Sequence, residues 1–181
     1  WYSVPHTDIP PAFIQCMTAS WPRIVINESE ATCTNNIVRL TWKKDLFQDV
    51  VAEDSNASSS WYALALGILS SFSQLSAELV GRSYGGGILK VEPSEMANLA
   101  IPLLPQDVAL RLAPEVDKLL RNGQGHLATD AVDIALMEQY DWLSEERLRE
   151  LRRARNALFM RRREHMDDAD RVLSSYSIDR S

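Results

Sequence analysis

The sequence predicts an α+β fold in which a small, mainly antiparallel sheet packs on a long central helix and a C-terminal set of helices follows. Three observations predict it: β-rich segments in the first fifty residues, one apolar stripe at helical spacing between residues 61 and 80, and helical patterns alone after residue 105. A length of 181 residues suits one ordinary domain with its own core. We expect an α/β region over residues 1–105, a helical region over 106–166 and a flexible tail over 167–181.

The composition is that of a globular protein, with 45% apolar and 24% charged residues. The formal net charge of −6 argues against polyanion binding through bulk charge, so any nucleic-acid site must be a local basic surface. Cys16 and Cys33 match neither a zinc spacing nor a disulfide framework, which favours a reducing compartment and a cytoplasmic location. The longest apolar window, from Trp61 to Phe72, is too short for a membrane span. The chain starts at Trp1 without an initiator methionine or a leader pattern, so we expect a piece of a longer protein.

The first part of the chain has strand patterns. AFIQCMT (residues 12–18) and PRIVINE (residues 22–28) are rich in β-branched and aromatic residues and are bounded by turn formers. NNIVRLTW alternates, with Val38, Leu40 and Trp42 on one side, so this strand should have one wet face.

A long helix is predicted next. The polar loop over residues 52–60 ends in an N-cap signal at Ser59 or Ser60. Steps of three and four then define one buried stripe, made of Trp61, Leu64, Ile68, Phe72, Leu75 and Leu79. Gly81 is the candidate C-cap in the left-handed conformation.

Three consecutive glycines, Gly85, Gly86 and Gly87, then lead into a short strand that Pro93 ends. A phosphate-binding P-loop needs a strand before the glycines and Lys-Ser or Lys-Thr after them, whereas here a helix precedes them and Val91 follows Lys90. Nucleotide binding of this kind is therefore disfavoured, and so is a dinucleotide fold. A tight turn that returns a strand onto the long helix is the plain structural interpretation.

The C-terminal part reads as helices. Pro114 suits the first position of a helix that ends at Gly123, residues 128–140 form another helical pattern, and Ser144 caps a last one. Between residues 147 and 163, eight arginines face a single acid, Glu150, a local charge of +7. This arginine cluster is either a face that is solvated or paired with the acidic tail that follows it, or a surface that follows a phosphate backbone.

Catalytic and metal-binding patterns are not found in the sequence. His6, His126 and His165 are scattered over different predicted elements, and no metal-binding or nucleophile motif includes them. We therefore expect no catalytic residue and no metal site in this chain.

Polar groups on the predicted strands suggest a nucleic-acid surface instead. Asn side chains match the adenine edge, and Arg side chains match guanine or phosphate. The candidates are Arg23, Asn27, Asn35, Asn36, Arg39 and Lys43. A solvated strand face with asparagine turns is the alternative.

One long segment resembles a known family. LGILSSFSQLSAELVGRSYGGGILKVEPSEMANLAIPLLP (residues 66–105), with WYSVP, PRIVINE and ATCTNNIVRL before it, is similar to the C-terminal part of adenine-N6 DNA methyltransferases of bacterial restriction-modification systems. The resemblance covers roughly residues 1–105. It implies a target recognition domain that holds double-stranded DNA and reads its sequence, beside an N-terminal domain that binds S-adenosylmethionine and flips the adenine out of the duplex.

The resemblance adds candidate DNA contacts around the glycines: Arg82, Ser83, Tyr84, Gly85, Gly86, Gly87 and Lys90. The family's cofactor-binding glycine motif and its Asn/Asp-Pro-Pro-Tyr/Phe loop are missing from these residues, so methyl transfer is assigned to none of them. No cofactor is expected in this chain, and S-adenosylmethionine is expected in the N-terminal domain. Two alternatives stay open: a module that docks a partner chain through its helices, such as part of a specificity subunit, and a small enzyme of another type.

Overall fold

A computed structural model describes residues 8–33, 37–41 and 57–178, with side-chain surroundings given up to residue 164 and not for 57–59. The strands are β1 (Ala12–Gln15), β2 (Met17–Thr18), β3 (Ile24–Ile26), β4 (Ile37–Leu40), β5 (Arg82–Tyr84) and β6 (Ile88–Lys90). The helices are α1 (Ala57–Gly67), α2 (Ser71–Val80), α3 (Pro93–Met96), α4 (Gln106–Arg121), α5 (Gly125–Gln139) and α6 (Glu145–Ile178).

The strands form two small sheets, each with three strands and antiparallel pairing throughout. The first has the order β3-β1-β4 and the second the order β2-β6-β5. Only Cys16 separates β1 from β2, so the chain passes directly from one sheet to the other. The predicted α+β class is confirmed, although the single sheet that the sequence suggested is divided in two.

Strand β4 alternates as predicted. Val38 and Leu40 are half-buried against the core, whereas Ile37 and Arg39 are exposed. Trp42, the third residue predicted on the inner side, lies outside the described residues.

The predicted long helix is wrong in one respect, because it is broken into α1 and α2, which meet at an angle of 70°. A Cβ at Gly67 would lie 2.2 Å from the carbonyl oxygen of Pro102, so the close approach of that segment requires glycine at the end of α1. Ser70 then starts α2 as its N-cap, and its hydroxyl accepts a hydrogen bond from the Ser73 amide. The apolar period continues through the break, which explains why periodicity did not reveal it.

Both predicted ends of this helical region also differ. Helix α1 begins at Ala57, ahead of the predicted caps at Ser59 or Ser60. Gly81 does follow α2 as its C-cap, but with φ −79° and ψ 173°, which is extended backbone and not the left-handed conformation. A steric clash explains why residue 81 is glycine, since a Cβ would lie 2.8 Å from the Ala77 carbonyl oxygen.

Helix α2 turns its polar side inward, which the sequence did not predict. Its buried residues are Ser71, Ser73, Gln74 and Ala77. Leu79, predicted on the buried stripe, is 67% exposed. The reason is that α5 and α6 present charged and polar partners to this side of α2.

Three long helices complete the fold. Pro114, predicted to start a helix, lies inside α4, which begins after Pro105 and ends one residue before the C-cap Asn122. Helix α5 begins three residues earlier than predicted, and α6 follows Ser144, whose hydroxyl accepts a hydrogen bond from the Arg147 amide. Helix α6 continues to Ile178, through most of the segment predicted to be a flexible tail. The proposed division into regions at residue 105 stays a prediction.

The main core lies between the first sheet and helices α1, α4 and α5, with Ala12, Leu66, Val116 and Leu136 fully or almost fully buried. A smaller core of Ala77, Leu89 and Val91 supports the second sheet on α2. Among the described residues no single helix has the length and apolar character to cross a membrane, and only the bent pair α1 and α2 would meet that test jointly.

Candidate nucleic-acid interface

Residues 82–90 form a β-hairpin in which the three glycines are the turn. Tyr84 lies opposite Ile88, and the strands β5 and β6 continue antiparallel from there. Gly86 and Gly87 have φ values of 76° and 67°, a region that favours glycine. Added Cβ atoms at Gly85 and Gly86 would meet nothing within 4 Å, so the tip of the hairpin is open on the side of these two residues.

The predicted strand after the glycines is thus confirmed, while the strand before them was missed. RSY is exposed at all three positions and has no apolar alternation, which removes the usual sequence signal. It is a strand because β6 provides its hydrogen-bond partners.

The side chains of the hairpin carry charge at its surface. Arg82 pairs with Glu95 at 2.6 Å, although its side chain stays 63% exposed. Lys90 pairs with Glu92 at 2.9 Å and lies over the ring of Tyr84, 5.1 Å from its centroid. The hydrogen bond with Glu92 raises the pKa of Lys90, and the same contact lowers the pKa of Glu92. Each pair is open to solvent on one side, at Arg82 and at Glu92, so a stronger anion could compete for both cations.

One end of the glycine turn packs on α6. A Cβ at Gly87 would lie 3.6 Å from the Cα of Arg163, and the Arg162 guanidinium donates a hydrogen bond to the Gly87 carbonyl oxygen. The structural interpretation of the glycines is therefore supported at Gly87, whereas Gly85 and Gly86 remain accessible.

The polar groups predicted on the first sheet do not form one surface. Arg39 is exposed on β4, and Arg23 lies just before β3, so the two flank β1 at opposite edges of the sheet. The amide of Asn27 is used within the loop: Nδ2 donates to the carbonyl oxygens of Pro10 and Ala31 at 2.8 and 3.0 Å, and Oδ1 accepts from the Ala31 amide. Asn35, Asn36 and Lys43 lie outside the described residues.

Arg23 lines a cavity of about 570 Å³ between β3, α1 and α4. The cavity wall is mostly apolar, with Tyr62 and Leu66 from α1, and Arg121 is charged at the α4 side. One guanidinium nitrogen of Arg23 would lie 3.1 Å from a Cβ on Gly125, which places this side chain at the start of α5.

The arginine cluster of α6 divides into an inner and an outer set. Arg152, Arg155 and Arg162 point inward, and each is bound by acceptors of the protein itself. Arg147, Arg149, Arg153, Arg161 and Arg163 are exposed. Acceptors on α2, α5 and the glycine turn therefore bind the first set, and the second set faces outward. Pairing with the acidic tail stays a prediction, because the side chains of that tail lie outside the described residues.

The inner arginines join α6 to a buried carboxylate on α5. Asp133 is 1% exposed and accepts hydrogen bonds from the Ser71 amide at 2.8 Å, from the Ser71 hydroxyl at 2.6 Å and from Arg152 at 2.8 Å. Arg155 donates to Ser71 and Gln74, and burial lowers the pKa of its guanidinium. These contacts explain why the polar side of α2 is buried.

A second buried pair holds the hairpin. The side chains of Arg162 and Glu78 are each 3% exposed and meet at 2.8 Å. Arg162 also donates to the Ser20 carbonyl oxygen, and Glu78 accepts from the Trp21 indole at 3.0 Å. This pair connects α6 with α2, the glycine turn and the segment that follows β2.

Sequence reasoning did not identify Asp133 and Glu78 as partners, but a signal for the inner arginines was present. Arg152, Arg155 and Arg162 share helical spacing with the apolar Leu148 and Leu151, which places all five on one side of α6.

Metal chemistry has no support in the part of the chain that the structure describes, where no three His, Cys, Asp or Glu side chains come together. Of the three histidines only His126 has a described side chain, and it is exposed at the start of α5.

Comparison with known families agrees with the motifs around the hairpin. The family model for the C-terminal domain of the type II methyltransferase M.Eco57I matches residues 1–137, which is 137 of 181 residues. The chain belongs to this family. It is thus the C-terminal region of a restriction-modification type DNA methyltransferase, and such a domain implies a methyltransferase part N-terminal to it in the parent protein.

The match to the M.Eco57I C-terminal domain includes both sheets, the hairpin, α4 and most of α5. It ends eight residues before α6, so the arginine cluster lies outside it. Searches of curated proteins and of solved structures found no match to the chain.

Proposed function

We propose that this domain holds double-stranded DNA and contributes sequence reading to an adenine-N6-specific methyltransferase. One observation carries the proposal: within the matched range, residues 82–90 form a hairpin with open glycine backbone at its tip, the exposed Tyr84 next to the tip, and the cations Arg82 and Lys90 opposite each other at its base. A backbone without Cβ atoms at its tip can approach a phosphate or a base edge closely.

The hairpin residues suit different contacts. Arg82 and Lys90 are side chains that neutralise phosphates, and their partly exposed pairs with Glu95 and Glu92 can exchange for pairs with phosphate. Tyr84, 52% exposed, offers a ring and a hydroxyl beside Gly85. Ser83 and the amides of the glycines can complete a backbone contact.

The first sheet would take a smaller part in the contact. Arg39 is exposed on β4 and is available to a duplex. Asn27 contributes by shaping its loop, since its amide is already bonded. Asn35, Asn36 and Lys43 adjoin β4 in the sequence and stay candidates for base contacts on chemical grounds. Arg23, at the cavity, is better placed to hold structure than to read bases.

Methyl transfer belongs elsewhere in the parent protein under this proposal. The described residues contain no motif for S-adenosylmethionine, and we assign the cofactor and the adenine pocket to the N-terminal part. The role of this chain is to bind and position the duplex so that the target adenine is presented to that part.

The proposal is tested by titrating a fluorescent duplex with the chain at several salt concentrations. We predict that Arg39→Ala and Arg82→Ala each weaken binding severalfold and each reduce the slope of log affinity against log salt by up to about 0.9. Arg111→Ala is the control, because Arg111 is equally exposed but lies on α4 away from the hairpin, paired with Asp107. A wild-type slope near zero, or equal losses in the control, would refute DNA binding by this surface.

A second candidate function, docking of a partner chain, is favoured by one observation. The outward side of α2 carries Phe72, Leu75 and Leu79, and an apolar groove joins it to Trp142 and Leu151. If the chain ignores duplex DNA but forms a tight dimer or heterodimer, this second function replaces the first.

A further inference from the structure

We infer that the outer side of α6 is a phosphate-binding surface that extends the DNA site beyond the family domain. This inference rests on the proposed DNA binding and adds a location for it. The surface, here called the α6 stripe, consists of Arg149, Arg153, Asn156, Met160 and Arg163.

The spacing of the α6 stripe places its members on one side of the helix. Steps of four, three, four and three residues follow the helical repeat, and at about 1.5 Å per residue the stripe is about 21 Å long. All five residues are exposed, and the side-chain oxygen of Asn156 accepts hydrogen bonds from Arg155. The stripe is thus a linear surface that can follow several phosphates of one strand.

The three arginines of the stripe have no carboxylate partner among the described residues. Arg149 contacts only the Glu145 carbonyl oxygen, at 3.4 Å, and Arg163 lies over the ring of Phe159. Arg152 and Arg162, on the same helix, are each bound to a buried carboxylate. The inner arginines therefore hold α6 on the fold, whereas no described carboxylate neutralises the charge of the outer ones.

Glutamates occupy the neighbouring row of α6, where Glu146, Glu150 and Glu164 are exposed. None of them is within ion-pair distance of Arg149, Arg153 or Arg163, since none of the described ion pairs joins these side chains. The glutamates limit the stripe to a narrow track. That width suits one phosphate backbone, which is a line of charge, better than a broad anionic surface.

The α6 stripe is continuous with the hairpin, which is why we assign duplex DNA as its partner. Gly87 lies against Arg163, so the α6 stripe begins where the hairpin of the proposed DNA site ends. A duplex that contacts the open tip at Gly85 and Gly86 can continue along the stripe with the same strand. Because phosphate contacts carry no sequence information, the stripe would add affinity and orientation without adding specificity.

The test uses the full chain and a 30-base-pair duplex of arbitrary sequence, because phosphate contacts do not depend on sequence. The variant R149Q/R153Q/R163Q is compared with the control K118Q/R147Q/R161Q, which removes the same charge from exposed positions off the stripe. We expect the stripe variant to lower the slope of log affinity against log salt by up to about 2.7 and to weaken binding at least tenfold at low salt, with the control nearly unchanged. Circular dichroism of both variants should match the wild type.

The outcomes separate the two proposals. Suppose that the wild type binds duplex DNA. If the stripe variant keeps the wild-type slope of log affinity against log salt, or if the control loses as much affinity and slope as the stripe variant, the α6 stripe is refuted while DNA binding stands. If the wild type does not bind duplex DNA at any salt concentration, the proposed function fails and the stripe fails with it. The ratio of the affinities for two duplexes of different sequence should be the same in the wild type and in the stripe variant. That result would confirm that the stripe does not contribute to sequence specificity.

Discussion

Asp133 and Glu78 are carboxylates that the protein buries almost completely and then surrounds with donors. A charge removed from water is stable only when hydrogen bonds and an opposite charge compensate for the lost solvation. Asp133 obtains them from Ser71 and Arg152, and Glu78 obtains them from Trp21 and Arg162. These residues explain why α6 belongs to the folded unit although its surface is strongly basic.

Asp133 should therefore be far more sensitive to substitution than its neighbour Asp130, although both bind Arg152. We predict that Asp133→Ala lowers the free energy of unfolding by about 3 kcal/mol, the lower part of the range for breaking a buried pair, because Arg152 is partly exposed. Asp130→Ala is the matched control, with a carboxylate that is 47% exposed, and should cost about 1 kcal/mol or less. Urea denaturation followed by circular dichroism measures both. Equal losses would show that burial does not determine the contribution of these pairs.

At the scale of elements, the break between α1 and α2 shows how a tertiary contact overrides a local pattern. The segment around Pro102 lies so close to Gly67 that no side chain fits, and Ser70 supplies a new N-cap three residues later. The bend directs α1 to the main core and α2 to α6.

We predict that Gly67→Ala destabilises the protein by about 1–3 kcal/mol, because its Cβ would require the backbone at Pro102 to move. Gly85→Ala introduces the same methyl group where nothing lies within 4 Å and should change the free energy of unfolding by less than about 0.5 kcal/mol. Thermal denaturation of the two variants provides the measurement. A stable Gly67→Ala protein would mean that the bend does not depend on this close approach.

The same elements show what the sequence could and could not predict. Alternation identified β4, apolar residues ended by Pro93 identified the strand after the glycines, and caps and periods identified the three long helices, since those signals are local. The inward polar side of α2 was not predictable, because its partners Asp133 and Arg155 are 62 and 81 or more residues away. For the candidate site, the resemblance of the motifs predicted contacts at residues 82–90. The inner and outer arginines of α6 differ only in their tertiary partners, which the sequence does not show.

At the scale of the whole molecule, α6 supplies partners to residues of the family domain that are buried and charged or polar. The match to the family ends at residue 137, yet three arginines beyond it bind groups inside it. Helix α6 is consequently part of the folding unit here, and the hairpin depends on α6 for its orientation through Gly87.

A chain that ends at Ser144 tests this dependence, because it keeps every residue matched to the family and loses all of α6. We predict that its buried Asp133 and Glu78 lose the arginines that compensate their charges, and that Gln74 on the polar side of α2 loses Arg155, so that α2 and the hairpin lose their fixed structure. Near-ultraviolet circular dichroism should fall, and the fluorescence of Trp21, which packs on Phe159 of α6, should shift towards that of exposed indole. A chain that ends at Glu164 is the control, since it retains all three inner arginines and Phe159, and it should unfold at nearly the same urea concentration as the full chain. If the shorter chain unfolds at the same urea concentration as the control, the family domain folds completely without α6, and the inner arginines of α6 are not needed for its stability.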